Sequence, residues 1–404
     1  MALPRFLRPL AALVGALALA AGCAPPAEDG DASVDAITHV PGTSTESQSI
    51  GNCWLYATAA WAESLHLQAT NESIDISQGY WTYWDWFDKI SDEPNLRAVR
   101  TGGHLAIAAT LGARYGLMGA KDFLPDELRG EQSQRQVRAL AAINASLASG
   151  PLSVPGAHAD RRLVRAELDK AWALPDTSKE LLDRVFGPAV ERRFDTAAQR
   201  AVKDGTPILA ATDVEVSYPK RPGTAPVKTT LATAFHDWDD QYYRMQDRRT
   251  FQIRVQRALH DGLPLIVSWF ADLNALDRGS FTRETLASSD HSRERGQHVT
   301  VIIDYQAKTK LGLLEAGKTL DPKVPEDKLK LDSALERDAV IELFRVKNSW
   351  GTTRADRPSL PSSPGNFDLY LTYLDGPVST CSDPDVTKCK ENTPLDAVYL
   401  PPGY

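Results

Sequence analysis

The chain has 404 residues, 42% of them hydrophobic and 24% charged, with a formal net charge of −8. These values exclude intrinsic disorder and collagen-like repeats, and the acidic excess argues against nucleic acid as a partner. Only four cysteines occur, Cys23, Cys53, Cys381 and Cys389. They are too few to staple a chain of this length, so burial must build the core.

At the start, Arg5 and Arg8 lead into an unbroken small and apolar run from Leu10 to Ala21. Residues 1–22 read as a secretory signal segment, to be set aside from fold reasoning. The run is too short and too alanine-rich for a permanent membrane span. Because it ends at Ala20-Ala21-Gly22-Cys23, it resembles a bacterial lipoprotein signal. That resemblance implies a lipidated Cys23 as the mature N-terminus, a membrane partner, and a place in the cell envelope at the outer membrane or cell surface. An ordinary signal peptide with an incidental cysteine is the other reading. Residues 23–45 are rich in Ala, Pro, Asp, Thr and Gly and read as a flexible tether.

Residues 48–65 read QSIGNCWLYATAAWAESL. Leu55, Ala59, Ala62 and Leu65 recur at helical spacing after the Gly51-Asn52 turn signal. Cys53 therefore opens a helix, where free N–H groups and the macrodipole favour an anion and a thiolate of depressed pKa. A buried structural cysteine is the alternative. Further along, GQHVTVIIDY (296–305) is a turn followed by an apolar strand, with His298 at its start. VIELFRVKNSWG (340–351) is a strand ending in Asn348-Ser349-Trp350-Gly351. Singly, His298 reads as a strand-end histidine, Asn348 as a turn residue and Trp350 as core.

Together, and in this order, the three segments resemble the cysteine, histidine and asparagine motifs of papain-like cysteine peptidases. IDISQGYWTYWDWFDKI (74–90), with six aromatics among residues 80–87, resembles the bleomycin hydrolase or aminopeptidase C branch. The aromatic cluster itself reads as core packing at helical spacing. The resemblance implies an α+β, two-lobed papain-like fold, with a helical left lobe and a β-barrel right lobe. It implies Cys53 as nucleophile, His298 as proton carrier, Asn348 as the residue orienting the imidazole, and Trp350 as the shield of that bond. Gln48 is the candidate oxyanion-hole donor beside the Cys53 N–H, although it stands five residues before the cysteine where the family has six. Gly102 and Gly103, ahead of His104, would let a substrate backbone approach, since glycine has no side chain to block it. His104 and His291 compete for the role of base, but neither precedes an apolar strand. The substrate class implied is a peptide or protein. No metal or organic cofactor is implied.

Roughly 245 residues separate Cys53 from His298, where papain-type signatures need roughly 130–150. The expected organisation is a helical lobe at 46–120, an inserted and mostly helical region at 121–248, and a β-barrel lobe at 249–404. In the insertion, SQRQVRALAAINASLASG and SKELLDRVFGPAVERRF have helical period, with Gly150-Pro151 and Pro175-Asp176 as breaks. Residues 204–235 suggest short strands, 249–261 a helix, and LIVSWF a buried strand. Residues 306–339, rich in Lys and Asp, read as a solvated loop. The insertion or the C-terminal tail VYLPPGY is expected to limit access to the cleft. Cys381 and Cys389, in TCSDPDVTKC, read as a local disulfide, with metal binding as the alternative. Two other functions stay open: a papain-like binding protein without turnover, and thiol-dependent acyl or amide transfer.

Overall fold

The computed structural model describes residues 45–125, 129–192, 194, 207–379 and 390–404. Cys23, Cys381 and Cys389 lie outside the described residues, and with them the lipidation and disulfide expectations. Among the described residues no helix is long and apolar enough to cross a membrane.

The fold is α+β. Helix α1 (Cys53–Thr70) runs through the helical part and is buried on nearly every face from Cys53 to Leu65. It stops at Asn71, whose left-handed backbone returns its N–H to the Leu67 carbonyl at 2.9 Å. Helix α2 (Gln78–Asp92) starts at Ser77, whose hydroxyl accepts the Tyr80 N–H at 3.0 Å. The aromatic run on α2 is indeed core: Tyr80, Trp81, Tyr83, Trp84, Trp86 and Phe87 are fully buried. Trp84 stacks on Tyr115, at the end of α3 (Leu105–Tyr115), with centroids 4.1 Å apart.

Three helices of the long central region follow: α4 (Arg129–Ser149), α5 (Arg161–Ala171), which packs on α2, and α6 (Asp176–Phe186), whose Phe186 meets Trp84 edge-on at 4.8 Å. Arg165 of α5 is buried with its guanidinium over Tyr83 and Trp84, 5.8 and 5.7 Å from the ring centroids. Asp169 accepts from Arg165 Nε at 3.0 Å and from the Tyr83 hydroxyl at 2.6 Å. A buried charge needs such partners. Strands β1 (Glu215–Tyr218) and β2 (Val227–Thr230) then pair with each other, and β1 packs along α1.

The remaining chain builds one large sheet. Its strands are β3 (Asp239–Tyr242), β4 (Leu265–Asp272), β5 (Leu276–Asp277), β6 (Ser280–Phe281), β7 (Arg295–Thr309), β8 (Gly312–Leu314), β9 (Val340–Lys347), β10 (Asn366–Tyr370) and β11 (Leu395–Leu400). Their order is β3-β11-β4-β7-β9-β10-β6-β5, with β8 paired to β7, and only β6–β10 is parallel. Among the described strands the two ends of this path are not paired to each other, so its hydrogen bonding is that of an open sheet.

Two expectations change. The polar segment Asp239–Tyr242, expected in the insertion, is β3 at the sheet edge, because its partner Leu395–Leu400 supplies the backbone bonds its side chains do not advertise. Residues 306–339 are not simply a loop: β7 runs to Thr309, β8 returns, and helix α8 (Pro325–Ala334) follows. Helix α7 (Arg248–His260) anchors α8, since Arg249 Nη2 and Gln256 Nε2 both donate to the Ala334 carbonyl, at 2.7 and 2.9 Å.

Candidate active site

Cys53 is the first residue of α1, where its N–H is one of the helix's unclaimed donors. The residue before it, Asn52, is buried and makes no cap with its own side chain. Its amide instead donates to Thr82 Oγ1 and to Gln136 Oε1, both at 2.9 Å. Gln136 Nε2 in turn donates to the Tyr56 hydroxyl at 3.1 Å. The central region thus reaches, through α4, the base of the helix that Cys53 opens. Nothing in the sequence pointed to Gln136, a single polar residue 84 positions from Asn52.

His298 and Asn348 come from neighbouring strands. β7 and β9 are antiparallel, with Lys347 opposite Val301. The end of β9 therefore lies beside the start of β7, which brings Asn348 to His298. His298 Nε2 and Asn348 Oδ1 are 2.9 Å apart. The same Oδ1 accepts the Ser349 backbone N–H at 2.7 Å, which fixes the amide oxygen on that side. An amide oxygen can only accept, so Nε2 carries the imidazole proton and Nδ1 is the basic nitrogen. Trp350 stacks on the imidazole with centroids 4.5 Å apart and planes 15° apart. Trp269 meets the same ring edge-on at 5.7 Å.

A short N-terminal segment fastens this motif to the helical part. The Gln48 N–H donates to the Ser349 carbonyl at 2.7 Å, and the Gly351 N–H to the Glu46 carbonyl at 3.0 Å. Gly351 has φ +72, and a Cβ there would sit 3.2 Å from Ser47 Oγ, so glycine suits the turn twice over. Gln48 Nε2 donates to the Ile50 carbonyl at 2.9 Å, and Gln48 Oε1 accepts from the Ser349 hydroxyl. An amide NH₂ carries two donors, so one remains.

Gln48, Cys53, His298 and Trp350 line one cleft of about 480 Å³. The other expected residues lie nearby or elsewhere. Gly103 packs on Trp54, where a Cβ would be 2.5 Å from the indole, so its lack of a side chain has a packing reason. A Cβ on Gly102 would meet nothing within 4 Å, and the Gly102 carbonyl accepts from Lys89 Nζ at 3.0 Å. His104 is the N-cap residue of α3, and His291 lines a different cavity beside Arg283 and Pro377. The C-terminal tail does not reach the cleft: Arg254 Nη2 donates to the Tyr404 carbonyl at 2.6 Å, and the Tyr404 hydroxyl to Asp261. Among the described residues, none of 121–248 lines the cleft either.

Electrostatics depart from expectation at Cys53. The Cys53 thiol is pushed up to about 11, because burial outweighs the N–H groups of Val299, Trp54 and Cys53 itself that favour the thiolate. His298 is pushed down to about 4, first by burial; the bond to Asn348 opposes this and the nearby Arg357 charge adds to it. At neutral pH the resting pair is thiol and neutral imidazole, not the thiolate that helix position alone suggested.

Behind Asn348 lies a second, small cavity with room for one water, lined by apolar residues such as Ala57, Val299 and Val301 and by Glu46, Glu63 and Lys347 among others. Glu63 is buried on α1 and accepts the Ile76 N–H at 2.9 Å. Burial, opposed by the Lys347 charge, raises its carboxyl to about 8.

No family model matches the chain, and no curated protein is significantly similar to it. Among solved structures it is similar to PepW from Lactobacillus rhamnosis HN001 (DR20), at 14% identity and TM-score 0.43, over 91% of this chain and 81% of that one. It is also similar to xylellain, a cysteine protease from Xylella fastidiosa, at 12% identity and TM-score 0.36, over 89% of this chain and 83% of that one.

Proposed function

We propose that the protein is a papain-like cysteine peptidase in which Cys53, His298 and Asn348 hydrolyse peptide bonds. The observation that carries this reading is the 2.9 Å bond from His298 Nε2 to Asn348 Oδ1, roofed by Trp350, with His298 and Trp350 lining one cleft with a cysteine at a helix N-terminus. The neutral resting pair sets the order of events. As Cys53 Sγ attacks the carbonyl carbon, its proton passes to His298 Nδ1. The oxyanion takes hydrogen bonds from the Cys53 N–H and the second donor of Gln48 Nε2. On collapse, imidazolium gives that proton to the leaving amine and a thioester remains on Sγ. Water then attacks the thioester with His298 as base, and the thiol is restored. Gly102 and Gly103 would take the acyl half of the peptide, as the family resemblance implies.

The test is hydrolysis of quenched fluorescent peptides under reducing conditions. Wild type should cleave them, and Cys53→Ala should not. Labelling of Cys53 without hydrolysis, but with product formed when an amine acceptor is added, would favour transfer over hydrolysis.

For location, the reading is an exported protein tethered to a membrane through lipidated Cys23. Incorporation of a labelled fatty acid in the wild type, and its loss in Cys23→Ser, would support it. A soluble, unlabelled wild type would count against it.

A further inference from the structure

The proton that His298 returns goes to the leaving amine, so the leaving half of the peptide lies along the wall that carries His298. That wall is made from the start of β7 and the loop after Trp350. Its charged members facing the cleft are Arg295, Arg354 and Arg357, against Glu294. Counting Asp356, which bonds two of the arginines, the wall keeps a net positive charge.

The two arginines of the loop are held in fixed poses. Arg357 lies over the Trp350 ring, 5.1 Å from its centroid, with its side chain only 17% exposed. Its Nε donates to Asp356 at 3.1 Å and its Nη2 to Glu294. Arg354 grips Asp356 with Nε at 3.0 Å and Nη2 at 2.7 Å. The loop is pinned further by Arg293 Nη2, which donates to the Asp356 carbonyl. These bonds leave the Nη1 groups of Arg354 and Arg357 without partners among the described residues. Glu294 and Asp356 are 79% and 55% exposed, so water weakens their hold on the two guanidinium charges. Donors already oriented, on a planar cation, suit a carboxylate.

We propose that this wall reads a carboxylate: Arg354 and Arg357 take an acidic side chain, or a free C-terminal carboxylate, carried by the leaving half of the peptide. The inference rests on the peptidase reading and names its substrate class.

The experiment compares quenched peptides that differ only at the first two leaving-side positions, Glu against Gln against Lys. A second pair ends in a carboxylate or an amide at those positions. Glu should exceed Gln by about tenfold in kcat/KM, Lys should fall below Gln, and the preference should shrink as salt rises. A preference confined to the free chain end assigns the wall to terminal carboxylates; one kept inside longer peptides assigns it to acidic side chains. In Arg354→Gln the Glu-to-Gln ratio should fall towards one. Equal kcat/KM for Glu, Gln and Lys peptides overturns the inference while leaving the peptidase reading intact. Binding of the same peptides to Cys53→Ala reads the wall without turnover. Tighter binding of Glu peptides there, with no cleavage by wild type, would keep the wall and reject the peptidase. Equal Kd values for Glu and Gln peptides reject the wall.

Discussion

The two halves of the candidate site are held by different means. His298 and Asn348 are placed by backbone pairing: β7 and β9 share one register, and both side chains depend on it. A slip of one residue would turn both away. Cys53 is placed by a helix end whose support comes from side chains, Thr82 and Gln136, reaching Asn52 from two other helices. Register is all or nothing, whereas side-chain support can be removed one bond at a time. The sheet half should therefore fail abruptly, and the helical half by degrees.

The sharpest break is His298→Ala. In the proposed mechanism it removes the base and acid of every step, and it should lower kcat by about 10³-fold or more, with the fold intact by circular dichroism. Asn348→Ala should come next, at about 10²-fold in kcat with KM little changed, because the imidazole is present but no longer held. A larger loss for Asn348→Ala than for His298→Ala would contradict a base held in place by an orienting amide.

On the helical side, Gln136→Ala should cost only a few-fold in kcat. It should also cost about 1–3 kcal/mol of stability in urea, since the Asn52 amide loses one of its two acceptors in a buried place. The pH profile of kcat should keep its shape, because no titrating group of the site is touched. A loss as large as that of Asn348→Ala would mean that the helical half is not the gradual one.

The smallest effect on activity is expected from Glu63→Gln. Its carboxyl titrates near 8 in the folded chain and near 4.5 when unfolded. Between those values the folded state holds a proton that the unfolded state has lost, so stability falls as pH rises through the window. The opposite slope comes from His298 and His260, both lowered by burial to about 4. Glu63→Gln keeps an acceptor for the Ile76 N–H and should flatten the loss of stability between about pH 4.5 and about pH 8. Chemical denaturation at about pH 6 and about pH 8.5, on either side of the upper end of that window, measures it.

The parts of the site that could be read in the sequence are those whose neighbours are apolar or close in the chain. VTVII and VIELF mark the strands of His298 and Asn348, and Asn-Ser-Trp-Gly marks the end of the second. Helix α8 was hidden because only Leu331, Ser333 and Ala334 of it are buried, and Arg249 and Gln256 hold it from a distant helix. Gln136 was invisible for a similar reason: its partners are 84 and 80 positions away. The Cys53 thiol shows a further limit. Spacing revealed the helix end that favours a thiolate, but not the depth of burial that opposes it. Arg354 and Arg357 follow the Trp350 motif closely in sequence, and only the fold shows that they face the cleft.

The central claim is that Cys53 becomes a nucleophile through His298. The direct measurement is the rate at which a peptide epoxide modifies Cys53, located by peptide mapping, in wild type and in His298→Ala at neutral pH. The account predicts rapid modification at Cys53 in the wild type and a rate lower by about 10²-fold or more in His298→Ala, because the thiol, protonated at rest in both, then has no base to take its proton as it attacks. Equal rates in the two proteins, or no modification of Cys53 in folded, reduced wild type, would contradict it.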